Sequence, residues 1–364
     1  MTGPAHSTPA GTGSLLEVED VSVTFTLRTA PLTRAKRLTA VNHVTFDIDR
    51  GETLGLVGES GSGKSTTGRA ILRLVPISSG SVRLDGTEVS SLPRTQLRQW
   101  RRRMQMIFQD PYSSLDPSMQ VGDSIAEPLR VHEGLRGRRS VDRVLELLDR
   151  VGLARHHLRR YPYEFSGGQR QRLAIARAIA LNPSLVVCDE AVSALDVSTQ
   201  SQVINLLDDL RADYGMSYLF IAHDLAVVRH ISERVAVMYL GHIVETGPTE
   251  RIFQQPAHPY SRALLDASPV PDPVTQRTRH RTILPGDPPD PAHPPAGCPF
   301  AGRCPEVKEI CHVELPAPVP VVTGGDVRCH LYGDSATPVP VAAADGRPDA
   351  DPVGGQPALS RREH

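Results

Sequence analysis

The chain is expected to fold as a parallel α/β protein with an inserted helical subdomain and a small, loop-rich appendage. Three observations predict this. From about Leu15 to Gly247, short apolar runs alternate with helical patterns, the rhythm of strands joined by crossover helices. Four runs, TLGLVG, MQMIFQ, SLVVCDE and SYLFIAHD, are nearly continuously apolar, as suits strands buried on both faces. Ten of the 32 prolines precede Gly247 and twenty-two follow it, so long elements should end near that residue.

Taken in order, residues 1–14, MTGPAHSTPAGTGS, read as a disordered lead-in. They lack the basic start and apolar run of a secretory signal. Candidate strands follow at Thr53 to Gly58, Met104 to Gln109, Ser184 to Glu190 and Ser217 to Asp224. Between the second and third, about 116–165, lies a basic stretch containing VDRVLELLDRVGL, with apolar residues at helical spacing; it reads as an insertion into the α/β core. Residues 248–332 form the appendage, and 333–364, rich in proline and small residues, a disordered tail. The formal net charge of -1 gives no global pull toward nucleic acid. Eighteen consecutive apolar residues occur nowhere, so no transmembrane helix is expected. The chain is placed in the cytosol, where thiols stay reduced.

The stretch GLVGESGSGKSTTGRAILRLV sets an apolar strand, a glycine-rich loop and a helical pattern in succession. This is the G-x-x-x-x-G-K-[ST] arrangement in its required context. Gly58, Glu59, Ser60, Gly61, Ser62 and Gly63 turn the backbone so that its N–H groups face phosphate oxygens. Lys64 is placed to bridge the β- and γ-phosphates, Ser65 to ligate Mg²⁺, and Thr66 to continue the anion-binding helix start. Without a ligand such a loop is only a glycine-rich turn; strand, loop and helix together argue against that. The motif alone does not choose among kinases, GTPases and motor ATPases. SLVVCDE narrows the choice. Asp189 ends an apolar strand, where an acid can hold the metal's water shell, and Glu190 can orient or deprotonate the attacking water. Two adjacent acids in isolation would as readily be a solvated turn.

In YEFSGGQRQRLAIARAIAL, Ser166, Gly167, Gly168 and Gln169 open a long helix. By itself this is an N-cap, and helix starts also attract anions. The full run resembles the signature of ATP-binding cassette (ABC) ATPases. Further motifs stand in the family's order. Gln109 in MIFQDPYSSLDP matches the glutamine that reaches Mg²⁺ and water. Ser193 to Asp196 match the family's D-loop. His223 matches the histidine at the γ-phosphate, and Phe25 the aromatic that stacks on adenine. The resemblance covers about Leu15 to Gly247, and it implies a RecA-like P-loop core, ATP and Mg²⁺ as cofactors, and two nucleotide domains meeting head to tail. Ala191 departs from the family's usual proline after the catalytic glutamate; no phosphate chemistry needs that ring, so activity is expected to survive.

Longer phrases, including VGDSIAEPL, FIAHDLAVVRHISERVAVMYLGHIVETG and HPYSRALL, resemble the ATPase subunits of bacterial dipeptide and oligopeptide importers. Nickel importers share much of the pattern. This resemblance extends to about Tyr332. It implies peptide uptake at the cytoplasmic face of the membrane, with a second related ATPase, two permease subunits and an extracytoplasmic solute-binding protein as partners. Cys298, Cys304, Cys311 and Cys329 follow a C-x5-C-x6-C-x17-C pattern, unlike the close pairs of zinc fingers or bacterial ferredoxins. The residues alone leave zinc, a cubane cluster or reduced thiols open. The importer branch implies a four-iron four-sulfur cluster, structural rather than catalytic. Cys188, inside an apolar strand, reads as packing.

RQWRRR and LRGRR invite a nucleic-acid reading, but Glu133, Asp142 and Glu146 interleave with the second, so a solvated face or a permease contact is expected. A soluble ABC ATPase acting on nucleic acid or ribosomes would commonly carry two cassettes or a coiled coil, and neither is present in the sequence. A redox-sensing subunit would not need the complete catalytic set.

Overall fold

The computed structural model describes residues 13–27, 36–110, 114–267, 286, 289–290, 292–333 and 337–341. Its centre is an eight-stranded sheet in the order β11-β12-β10-β9-β3-β8-β7-β6. Strands β3 (Thr53–Val57), β6 (Met104–Ile107), β7 (Leu185–Asp189), β8 (Ser217–Ile221) and β9 (Arg234–Tyr239) are parallel. Their side chains alternate between two cores, as the two-residue period of a strand requires. In β7, Leu185 and Val187 face one core while Val186 and Cys188 face the other; in β8, Leu219 and Ile221 oppose Tyr218 and Phe220. Both faces are therefore dry, which is why these segments read as unbroken apolar runs.

One core lies under α1 (Lys64–Ile71) and an antiparallel sheet, β2-β1-β4-β5. That sheet is built from β1 (Ser14–Leu27), β2 (Lys36–Asp49), β4 (Ser79–Leu84) and β5 (Thr87–Glu88), with α2 (Arg94–Trp100) following. The other core holds α3 (Val121–Glu133), α4 (Arg138–Arg150), α5 (Gly167–Ile179), α6 (Val197–Tyr214) and α7 (Leu225–Ile231). Helix α4 buries Ser140, Val144, Leu147 and Leu148, one stripe at helical spacing. The arginines around it are paired: Arg102 with Glu133, Arg143 with Glu146, Arg150 with Asp213 and Arg155 with Asp149.

β10 (His242–Pro248) runs through the expected boundary at Gly247, and the later chain returns to the same sheet. β12 (Asp326–Arg328) pairs with β10 at Glu245↔Val327, and β11 (Pro318–Pro320) closes the edge, where proline's missing N–H costs no ladder bond. The expected disordered tail needs correction at 337–341. Val339 donates its N–H to Pro320 and accepts from Val322, and packs on the small core of Val319, Val321 and Val327. A sheet edge offering unpaired backbone groups captures it. Ser14 likewise already belongs to β1. The rest of the expected lead-in, apart from Gly13, lies outside the described residues, as do 334–336 and 342–364 of the tail.

Short helices α8 (Thr249–Gln254) and α9 (Pro259–Ala267) fasten the appendage. Glu245, fully buried, pairs with buried Arg251 and accepts the N–H groups of Ala257 at 2.8 Å and His258 at 2.9 Å. His258 then accepts the Tyr260 N–H on Nδ1 at 3.0 Å, capping α9 at the donor that Pro259 leaves free.

Candidate functional site

Because the five strands are parallel, their C-terminal ends share one edge, the usual place for a ligand in such a sheet. Beyond β3 the chain turns through Gly58 and Gly63, at φ 155° and 104°. A Cβ on Gly58 would meet the Met238 carbonyl oxygen at 2.1 Å, and one on Gly63 the Ala40 carbonyl oxygen at 2.3 Å. Neighbouring backbone thus excludes any side chain at both positions. Lys64, at the first turn of α1, is buried. Its Nζ donates to the carbonyls of Gly58 and Glu59, both at 2.8 Å. Burial lowers its pKa, opposed by Glu190, Asp189 and Glu59. A desolvated ammonium facing acids is poised to gain from a polyphosphate. Ser60 and Gly61 are exposed on the loop, Ser62 is buried, and Thr66 is half-buried behind Ser65.

Ser65 donates its hydroxyl to Asp189 Oδ1 at 2.6 Å. Asp189 is buried at the end of β7, and burial raises its pKa, with Ser65 and Arg69 opposing. Arg69 Nη2 lies 3.5 Å from Asp189 Oδ2. Sequence reasoning missed Arg69, though its spacing of four from Ser65 puts both on one helical face. Glu190 follows at φ 48°, a left-handed backbone rare outside glycine and concentrated at working sites. Its Oε2 accepts from Gln109 Nε2 at 2.7 Å and lies 3.5 Å from His223 Nδ1. Gln109 and His223 each sit two residues past their strands, β6 and β8, rather than within them as the sequence suggested; His223 and Glu190 line a cleft of ≈ 80 Å³, and Gln109 reaches Glu190 by its hydrogen bond.

Phe25 pairs with Leu38 across the β1–β2 hairpin and is half-buried. Two residues on, Ala40 lies against Gly63, which brings this hairpin to the phosphate loop. Ser166, Gly167, Gly168 and Gln169 stand elsewhere, at the solvent-facing start of α5. Ser166 and Gln169 form a reciprocal capping box there. Gly168 packs so closely on Thr199 that a Cβ would fall 2.3 Å from its methyl group. Asp196 caps α6, and hydrogen bonds from Ser198 and Thr199 hold its pKa down at about 2. Among the described residues, no hydrogen bond links this segment to the phosphate loop.

The four appendage cysteines converge. Cys298 donates its N–H to the Cys311 carbonyl at 2.8 Å, and Gly297 runs so close to that carbonyl that a Cβ would sit 2.3 Å from it. Burial and the neighbouring thiols push Cys298 up to about 11 and Cys329 up to about 12. Cys304, half-buried, is raised by burial too. Cys188 is fully buried in β7, and burial there raises its pKa strongly.

A buried lysine on loop carbonyls, a serine hydroxyl on a buried aspartate, and a glutamate held between an amide and an imidazole suit one reaction, attack of water on a nucleotide phosphate. The fold and this edge define a P-loop nucleoside triphosphatase. A family model described as ABC transporter matches residues 41–193, and one described as oligopeptide/dipeptide transporter, C-terminal region, matches 244–311. A probable peptide ABC transporter ATP-binding protein of Sinorhizobium fredii is 48% identical over 93% of this chain and 94% of its own length. A putative peptide import ATP-binding protein of Brucella abortus is 50% identical over 88% of this chain and 95% of its own. Glutathione import ATP-binding protein GsiA of Escherichia coli K12 is 56% identical over 77% of this chain, which spans 45% of that protein. Among solved structures, the ATP-binding cassette MJ0796, a dimer in a post-hydrolysis state bound to ADP and Pi, superposes with a TM-score of 0.58 at 28% identity, covering 64% of this chain and 98% of its own. The chain belongs to the ABC transporter ATP-binding protein family, and it is an ATPase that binds and hydrolyses ATP.

Proposed function

We propose that the chain is the ATP-hydrolysing subunit of an importer for dipeptides or oligopeptides. The observation that carries this is the appendage. The match to the oligopeptide/dipeptide transporter region covers 244–311, and full-length relatives carry peptide-import names.

In this reading Lys64 holds the β- and γ-phosphates, and the loop's N–H groups from Gly61 to Thr66 cradle them. Ser65 and Asp189 suit Mg²⁺, since a hydroxyl and a buried, desolvated carboxylate already lie 2.6 Å apart. The ion would neutralise charge developing on the phosphate oxygens. Glu190 takes the proton of the attacking water, while Gln109 and His223 fix its carboxylate. Phe25 stacks on the base. Ser166 to Gln169 and Asp196, exposed and apart from Lys64, serve the second ATP of a head-to-tail dimer. Val197, beside Asp196 and 80% exposed, suits an interface. A related but different ATPase is the proposed partner.

A groove of ≈ 330 Å³, lined by Leu74, Met106, Phe108, Pro128, Val131 and Arg177, lies where the inserted helices meet the sheet edge. It suits an apolar element of a permease subunit. Among the described residues no helix is long and apolar enough to cross a membrane, so membrane attachment is assigned to those subunits, on the cytoplasmic face. Cassette 15–247, inserted helices 116–165 and appendage 248–332 are the proposed units.

For Cys298, Cys304, Cys311 and Cys329 we propose a four-iron four-sulfur cluster. Cys298, Cys311 and Cys329 are buried and Cys304 is half-buried, so a group they held would be shielded from water. Bound metal would reverse the cost of ionising these buried thiols. Iron, acid-labile sulfide and zinc per chain, on protein purified without oxygen, test this part. Uptake of a labelled dipeptide by cells carrying the native chain or Glu190→Gln tests the import reading; equal uptake from the two would defeat it.

A further inference from the structure

The phosphate loop and the cysteine-bearing appendage touch, through a residue whose role is not explained by phosphate chemistry. Glu59 lies beyond the first glycine of the loop, and its carbonyl is one of the two on which Lys64 rests, at 2.8 Å. Its other polar groups are held by the appendage. The Glu59 N–H donates to the hydroxyl of Tyr260 at 2.9 Å. Its carboxylate accepts from Arg303 Nη1 at 3.0 and 3.3 Å. Arg303 Nη1 also reaches the Tyr239 hydroxyl at 3.3 Å, at the end of β9.

Both holders are rigid. Tyr260 is fully buried on α9, packed on Tyr239 at 4.6 Å and on Phe300 at 5.4 Å between ring centres. Arg303 is 9% exposed and ends a single 3-10 turn, Ala301–Arg303. The Ala301 N–H bonds to the Cys298 carbonyl at 3.0 Å, and the Cys304 N–H to the Ala301 carbonyl at 3.3 Å. One tight turn thus joins the two cysteines and carries the guanidinium, so whatever fixes both sulfurs also fixes Arg303.

We propose that Tyr260 and Arg303 are positioning residues for ATP binding: they clamp Glu59, which holds the Lys64 cradle, so the state of the cysteine site sets nucleotide affinity. The link to the cysteines rests on the proposed metal site, whereas the clamp does not. Communication of this kind is reciprocal, because ATP must favour the ordered turn by the factor that the ordered turn favours ATP.

Equilibrium binding of a fluorescent ATP analogue to the intact chain tests the clamp. Tyr260→Phe leaves the Glu59 N–H without its partner and Arg303→Ala leaves an unpaired carboxylate, so each should weaken binding about tenfold, with the loss in KM rather than kcat. Only Nη1 of Arg303 makes the contacts, so Arg303→Lys should restore most of the affinity. Native affinity in both Tyr260→Phe and Arg303→Ala, with native melting, overturns the proposal. So does an equal loss in Arg303→Ala and Arg303→Lys, which would mean packing. Tyr260→Phe, lacking only one oxygen, keeps the test valid if Arg303→Ala fails to fold. For the cysteine link, ATP should slow loss of iron to a chelator from the native chain and not from Arg303→Ala; loss indifferent to ATP in both overturns it. Metal content of the same samples separates the two readings. Weakened ATP binding in a metal-free Arg303→Ala chain, beside a metal-free native chain, upholds the clamp and removes the cluster.

Discussion

At the nucleotide edge, the proposed reacting groups stand at or just past the ends of strands that are dry on both faces; in the appendage, the cysteines hang on loops, Cys329 beside a small core of valines and Cys298 and Cys311 at the margin of the main core. The first region inherits its geometry from the sheet. β3, β6, β7 and β8 stop at one edge, so Lys64, Gln109, Asp189, Glu190 and His223 meet there, with Tyr260 and Arg303 as distant props on the loop before Lys64. The second is tied down by a buried ion pair, a histidine cap and two edge strands. Chemistry is therefore concentrated where the fold is cooperative, and attachment where it is sparse. Substitutions in the two regions should fail differently, in rate on one side and in stability on the other.

The largest effect belongs to Glu190→Gln. The amide keeps the shape but takes no proton, so turnover should fall by about 10² to 10⁴, with ATP still bound and the closed dimer favoured. Phosphate release against nucleotide binding measures this. A normal rate would remove Glu190 as the base.

On the other side, Glu245→Ala strands the Arg251 charge and two backbone N–H groups in the interior. Loss of one partner of a buried pair costs about 3 to 5 kcal/mol. The expected result is an early melting step and proteolysis after Pro248, with the cassette still folded and ATP binding weakened as in Tyr260→Phe and Arg303→Ala. A single unchanged transition would show that the appendage does not depend on this pair.

The same contrast governs how far each region could be read from sequence. The phosphate loop, the acidic strand end and the α5 cap are local, and their motifs bring their geometry with them. Arg69 was legible in principle from its spacing to Ser65. Tyr260 and Arg303 were not, because each meets Glu59 across about 200 residues of chain or more, and no local period marks such a meeting. The edge strand β11 was hidden by its prolines, and β12 by being only three residues long. An edge tolerates proline where an interior strand does not.

Acid should find the appendage first. His258 is fully buried and accepts the Tyr260 N–H on Nδ1, so it must be neutral to cap α9. Burial foremost, then Arg262, pushes its pKa down to about 3, below the ~6.5 of an exposed histidine. The unfolded chain therefore binds the proton first. The stabilisation is complete above pH ~6.5 and is lost as pH falls toward 3, by about 1.4 kcal/mol per pH unit at most. His258→Gln should flatten the acid limb of the appendage's melting temperature. An unchanged limb would mean that another group drives the acid response.

The smallest effect is expected at Ala191, next to Glu190, the proposed base. It is 2% exposed, and proline there would stiffen the turn after Glu190. Two terms oppose each other. Proline reduces the freedom of the unfolded turn, worth about 0.4 to 1 kcal/mol where the backbone accepts it. It also restricts the residue before it, and Glu190 already holds φ 48°. The contacts that aim the carboxylate come from Gln109, His223 and the Glu190 N–H to Ile221, at 2.9 Å for the last. None passes through the side chain of residue 191. ATP turnover in Ala191→Pro should stay within about twofold of the native chain, a barrier change of ~0.4 kcal/mol. A much faster Ala191→Pro enzyme would show that the proline ring, and not the hydrogen bonds, aims the base.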